Sequence, residues 1–172
     1  MTAAQLVRLC RARGNSPAED IPLVLDVLAE TSDGRRHRLK ALVDTGAQTN
    51  CIRAAELPQQ YFQPARRPIS LSTVSGDVLP GGSREVDIKL FFAPEAPGGR
   101  AVGSAWGVDA SLYDSATTVD LILGYPWLRQ HRLGIMPHKD ALLAEKPRGT
   151  IYLRSWSQAS SQPDPDDTKE VA

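Results

Sequence analysis

A chain of 172 residues is about as long as one ordinary domain with tails, which leaves little room for two separate domains. Its 20 basic and 20 acidic residues cancel to a formal net charge of +0, which removes any broad electrostatic drive toward nucleic acid or an anionic membrane. No apolar run approaches the ~18 residues that a membrane helix needs, and residues 1–15 lack the apolar centre of a secretory signal. Cys10 and Cys51 have no metal-ligand companion at short spacing, so a soluble, cytoplasmic protein with reduced thiols is expected.

Residues 1–20 hold one apolar cluster, Leu6, Val7 and Leu9, broken by Arg11, Gly14 and Pro17, and read as a flexible leader. Residues 21–30 partly alternate apolar and polar side chains, as a half-buried strand does. Asp33-Gly34 supplies turn chemistry, and a second strand is predicted over 35–43. A loop through Asp44, Thr45 and Gly46 returns by a short apolar strand at Cys51 and Ile52, with a helical turn over 53–57. Residues 68–74 and 86–90 alternate again around the turn Ser75-Gly76-Asp77, which predicts a hairpin. Residues 93–100, rich in Pro and Gly, read as a connector, followed by a less patterned strand over 102–108. An apolar strand at 119–124 ends on Gly124, and Pro126 marks a short helix start. Residues 133–143 predict a last hairpin, whereas 155–172 is a polar, acidic stretch read as a disordered tail or linker. Short strands at this spacing predict an all-β sheet or barrel, with one domain over 21–145.

A bare Asp-Thr-Gly is most often a surface turn in which the Asp caps its own backbone. Here Ala41, Leu42 and Val43 precede it and Ala47, Cys51 and Ile52 follow, which predicts a loop inside the molecule. A buried carboxylate needs partners or a function. Leu42-Val43-Asp44-Thr45-Gly46-Ala47, with Ile52 beyond, resembles the active-site loop of retropepsins, the retroviral and retrotransposon aspartic proteases. Leu121-Ile122-Leu123-Gly124 resembles the family's apolar-apolar-Gly segment beneath that loop, and Tyr125-Pro126-Trp127-Leu128 the helix start of gypsy-type retrotransposon polyproteins. Ser75-Gly76-Asp77 sits where the family carries its flap hairpin. The resemblance spans residues 21–143.

The resemblance implies a retropepsin barrel with a flap hairpin, one short helix and about seven to nine short strands. It implies an aspartic endopeptidase in which Asp44 is the catalytic carboxylate and Thr45 ties two active-site loops together across a dimer axis. Gly46 permits close approach of the partner, and Ala47, Ser75, Gly76 and Asp77 contact an extended polypeptide substrate. Ile122, Leu123 and Gly124 support the loop. The chain has a single Asp-Thr-Gly, so the second carboxylate must come from another copy, as in the family's homodimers. No metal or organic cofactor is implied, nor any nucleic-acid or membrane partner, and the family context suggests polyprotein processing. His37, His131 and His138 stand at unrelated spacings, which argues against zinc, and no Gly-x-Ser-x-Gly elbow suggests a serine nucleophile. The basic run from Arg35 to Lys40 reads as a solvated strand edge, and Trp106, Trp127 and Trp156 as packing residues. The rival reading is a catalytically silent retropepsin-fold module for dimerisation or peptide binding.

Overall fold

The computed structural model describes residues 23–73 and 75–156; the leader at 1–20 and most of the acidic tail lie outside them. The first hairpin pairs β1 (Leu23–Glu30) with β2 (Arg36–Asp44) from Leu23↔Val43 to Glu30↔Arg36. Its turn is held by Thr31, whose hydroxyl donates to Asp33 Oδ1 at 2.6 Å, and by Gly34 at φ 82°. Alternation along both strands puts Leu25, Val27, Ala29, Leu39, Ala41 and Val43 on one buried face.

Next come β3 (Cys51–Arg53), a 3-10 turn at Ala54–Glu56, a second at Gln59–Tyr61, and β4 (Gln63–Pro64). The predicted strand over 68–74 shrinks to β5 (Leu71–Ser72), which pairs with β6 (Val78–Leu79) in a small separate hairpin. From there β7 runs unbroken from Gly81 to Glu95, and β8 from Trp106 to Ser115. The expected connector therefore starts later than Ala93: Ala93, Pro94 and Glu95 lie beyond the last β7–β8 rung and pair instead with the last of the described strands. Pro94 is tolerated near the strand's end, where little of the ladder depends on its missing N–H. The β8 strand also extends past the expected 108, because Asp109 and Ser111 point outward while Val108, Ala110 and Leu112 point into the core.

Strand β9 (Leu121–Gly124) leads directly into helix α1 (Tyr125–Gln130), followed by β10 (Leu133–Met136), β11 (Ala141–Lys146) and β12 (Gly149–Arg154). β10 and β11 form the expected last hairpin; β12 extends the sheet beyond it. Ser155 and Trp156, placed in the tail by composition, are tied to β1: Asp26 N–H donates to Ser155 Oγ at 3.0 Å and Trp156 N–H to Asp26 O at 2.7 Å. Trp156 is buried with Leu28, Phe91 and Ala105, which gives this short segment the apolar contact that the residues after it lack in sequence.

Six strands close a barrel in the order β1-β2-β9-β3-β8-β7, with β7 returning to β1 through Leu28↔Phe91, Ala29↔Leu90 and Glu30↔Lys89. Most pairs are antiparallel, but β2–β9 and β3–β8 are parallel. Phe92, Leu90, Leu112, Leu121 and Leu123 fill the interior at 0% exposure, and Trp127 and Leu128 close it from α1. Each fully buried large side chain of this kind contributes about 1.5–3 kcal/mol relative to exposure. Among the described residues the architecture is an all-β closed barrel with one short α-helix.

Candidate active site

Strand β9 inserts between β2 and β3, the two strands joined by residues 45–50. The Asp44 loop is thus built at the end of a three-strand junction, and Asp44 stands opposite Gly124 as the last rung of the parallel ladder. Gly46 N–H donates to Asp44 Oδ1 at 2.8 Å and Ala47 N–H to Asp44 O at 3.1 Å. The loop therefore has the self-capping turn that a bare Asp-Thr-Gly favours, mounted on an apolar junction.

The loop is tied down from the other side as well. Tyr125 N–H donates to Ala47 O at 2.9 Å, and Gly124 N–H donates to the side-chain Oδ1 of Asn50 at 2.9 Å. Asn50 Nδ2 in turn reaches Ser111 O at 3.3 Å, so one amide side chain links the loop, β9 and β8. A Cβ on Gly124 would lie 2.6 Å from Thr49 O and 2.7 Å from Ala47 O, contacts no side chain tolerates. Glycine is required there by the close approach of two backbones.

The expectation of a loop inside the molecule is not met in the single chain. Thr45 and Gly46 are exposed, and Asp44 and Ala47 half-buried. The support residues divide by strand alternation: Leu123 points into the barrel core, whereas Ile122 points to the opposite face, the one Asp44 shares. On that face Ile122 and Leu42 form their own apolar cluster, flanked by Ala47 and Val119, and Val24 stands opposite Leu42 at 45% exposure. A carboxylate with an apolar wall beside it is the chemical character of this face.

Ser75, Gly76 and Asp77 fall at the tip of the β5–β6 hairpin. Thr73 N–H donates to Asp77 O at 2.9 Å, Gly76 N–H to Thr73 O at 3.0 Å, and Ser75 Oγ to Asp77 Oδ2 at 3.1 Å. Gly76 adopts φ 90°, in the left-handed region that glycine occupies without strain. Val78 beside the tip is 73% exposed. Two clefts, of about 690 and 530 Å³, open elsewhere: Asn50, Asp87 and His131 line the first and Arg38, Asp120 and Trp156 the second, and neither is lined by Asp44.

Cys51 is buried one strand over, and burial together with the nearby Asp114 charge pushes its thiol up to about 12, so it stays protonated and inert. Among the described residues no group of three or more His, Cys, Asp or Glu could hold a metal ion, and no helix is long and apolar enough to cross a membrane. Asn50 and the buried Asp114 are the residues that the sequence reading missed. Asn50 carries no motif signal, and its only hint is a polar residue set just before the apolar return at Cys51 and Ile52.

No curated protein matches this sequence. Among solved structures, one described as the EIAV protease complexed with the inhibitor HBY-793 aligns over 72% of this chain and 99% of its own, at 17% identity and a TM-score of 0.45. Residues 24–94, which run from β1 through the Asp44 loop and the β5–β6 hairpin into β7, match the family model described as retroviral aspartyl protease. With Asp44 at the end of β2 beside the closed barrel, the part of this chain that runs from β1 into β7 is similar to the retroviral aspartyl protease family.

Proposed function

We propose that this protein is an aspartic endopeptidase, active as a homodimer in which each copy supplies Asp44. The observation that carries the reading is the position of Asp44: at the end of a buried strand, on a loop held by backbone bonds on both sides, and presented half-exposed beside an apolar cluster. A second copy related by a twofold axis would bring another Asp44 against it. Two carboxylates that close cannot both ionise, so they share a proton. The ionised one takes a proton from the attacking water while the protonated one gives its proton to the carbonyl oxygen of the scissile bond.

Thr45, exposed at the loop tip, would bridge to the partner's loop through its hydroxyl. The hairpin carrying Ser75, Gly76 and Asp77 acts as the flap over an extended peptide, whose backbone would pair in the manner of an added strand. Ala47, half-buried beside Asp44 and backed by the buried Leu42 and Ile122, favours apolar side chains flanking the cleaved bond. Processing of a polyprotein, as in gypsy-type elements, is the natural setting for such an enzyme, and Tyr125-Pro126-Trp127-Leu128 at the head of α1 supports it. The buried, protonated Cys51 suits an intracellular compartment.

The test is cleavage of a mixed peptide library across about pH 4 to 7, with wild type beside Asp44→Asn, over a range of protein concentrations. Cleavage that rises more steeply than linearly with enzyme and disappears in the variant is expected. Silence from both proteins, with a folded dimer present, would leave a peptide-binding module instead.

A further inference from the structure

The β5–β6 hairpin joins the barrel through residues 80–84, and this junction is unusually constrained. Gly81 and Gly82 take φ values of 126° and 86°, and the β7–β8 register shifts between Gly81 and Glu85. A Cβ on Gly82 would sit 2.2 Å from Ile69 O, and one on Gly81 2.2 Å from Asp114 O, so the junction is packed backbone against backbone. Ile69 N–H donates to Gly82 O at 3.0 Å, which joins the two arms of the hairpin at their base.

At this point β8 contributes a carboxylate. Asp114 is 7% exposed, and its Oδ1 accepts two backbone N–H groups from the start of β7: Gly82 at 3.0 Å and Arg84 at 3.1 Å. Its Oδ2 accepts from Arg84 Nε at 3.1 Å. The Arg84 side chain continues outward to Gln59 Oε1 at 2.7 Å and lies 5.0 Å over the Phe62 ring. Within a bulge where the ladder is interrupted, Asp114 supplies the acceptor that a regular strand partner would have given. A buried acceptor shared by two backbone donors fixes where the hairpin leaves the barrel, because losing it strands both donors without partners.

We infer that Asp114 is a positioning residue for substrate capture: its Oδ1 pins the hinge of the β5–β6 hairpin, while Oδ2 and Arg84 play a separate, supporting part. The inference rests on the hairpin being the flap of the proposed protease. It divides the two oxygens by function. Asparagine at 114 keeps an oxygen for both backbone donors but loses the ion pair and the acceptor for Arg84 Nε, whereas alanine removes both acceptors.

The experiment combines hydrogen exchange with peptide-cleavage kinetics on wild type, Asp114→Asn and Asp114→Ala. In wild type the amides of Ile69, Gly82 and Arg84 should exchange far more slowly than those of Gly76 and Asp77 at the tip. In Asp114→Ala the hinge amides should approach the rate of the tip, KM for a peptide substrate should rise about tenfold, and kcat should stay within about threefold. Asp114→Asn should recover most of both the protection and the KM. Hinge amides as unprotected as the tip in wild type would overturn the inference without any variant being needed. It would equally fail if Asp114→Ala left protection and KM unchanged, or if kcat and KM both changed only in step with loss of the folded dimer. A wild type without protease activity would defeat the proposed function instead, and the exchange rates alone would then decide whether Asp114 holds the hinge.

Discussion

The Asp44 loop and the β5–β6 hairpin are the two parts that the proposed protease would use, and they are built in opposite ways. The loop is bracketed by β2 and β3 with β9 between them, and Gly46, Ala47, Gly124, Tyr125 and Asn50 all bond across it. The hairpin has two rungs, Leu71↔Leu79 and Ser72↔Val78, and the bonds at its tip run among Thr73, Ser75, Gly76 and Asp77 themselves. In the proposed homodimer, a carboxylate that meets its twin at a fixed distance needs the first kind of support. An element that admits and covers a peptide needs the second, and local stability is distributed accordingly.

The comparison is broken most sharply at Asp44. Asp44→Asn keeps an oxygen for the Gly46 N–H, so the loop geometry and the thermal midpoint should hold while peptide cleavage falls by roughly a thousandfold or more. Loss of cleavage accompanied by loss of fold would mean that Asp44 is structural. Next in size is a matched pair of glycine changes. Gly124→Ala forces a Cβ into Ala47 O and Thr49 O and should cost about 3 kcal/mol, measured by denaturant unfolding. Gly76→Ala meets nothing within 4 Å and pays only for its φ of 90°, about 1 kcal/mol. Equal costs at the two sites would erase the distinction between a clamped loop and a loose hairpin.

The loop was legible in the sequence because its constraints are local and apolar: Leu42-Val43-Asp44-Thr45-Gly46-Ala47 lies between two strands whose alternation can be read directly. The need for Gly124 could be expected from the resemblance, but its cause, two carbonyls within 2.7 Å of the missing Cβ, belongs to the packing of β9 between β2 and β3. The hairpin was legible at its turn and not along its arms. Alternation over 68–74 suggested a full strand, yet Ile69 bonds to Gly82 at the base and only Leu71–Ser72 pairs as strand. The β8 strand was under-read because Asp109, Ser111 and Asp114 make it look polar, although the first two face outward and Asp114 is satisfied at the hinge. Exposure of the Asp44 loop in the single chain was not legible either. The apolar residues around it are shared between the core, which takes Val43 and Leu123, and the outer face, which takes Leu42 and Ile122.

A smaller effect tests the hairpin tip. Asp77→Ala removes the acceptor for Ser75 Oγ on an exposed turn, so the unfolding midpoint should barely move. If the tip covers substrate, KM should rise by about two- to fivefold with kcat nearly constant. A change as large as that expected for Asp114→Ala would place the control of capture at the tip rather than the hinge.

The smallest expected effect concerns pH, and it falls on the loop's side of the molecule. His131 caps α1, the helix that follows Gly124, and its ring lies 5.3 Å from that of Trp127. Burial lowers its pKa from 6.5, with the nearby Asp109 partly opposing the shift. The folded state therefore prefers the neutral ring more than the unfolded chain does. Its contribution to stability is complete above the unfolded value of about 6.5 and is lost as pH falls through that value toward the lower folded one. Wild type should lose thermal stability between about pH 7.5 and 5.5, and His131→Gln, which cannot titrate, should show a flatter dependence over the same range. Exchange measured at both pH values should find the added opening at α1 and the 45–50 loop, with the hairpin tip unchanged. Identical pH slopes in the two proteins would mean that the ring is equally solvated in both states, and that the support beneath Asp44 is indifferent to acid.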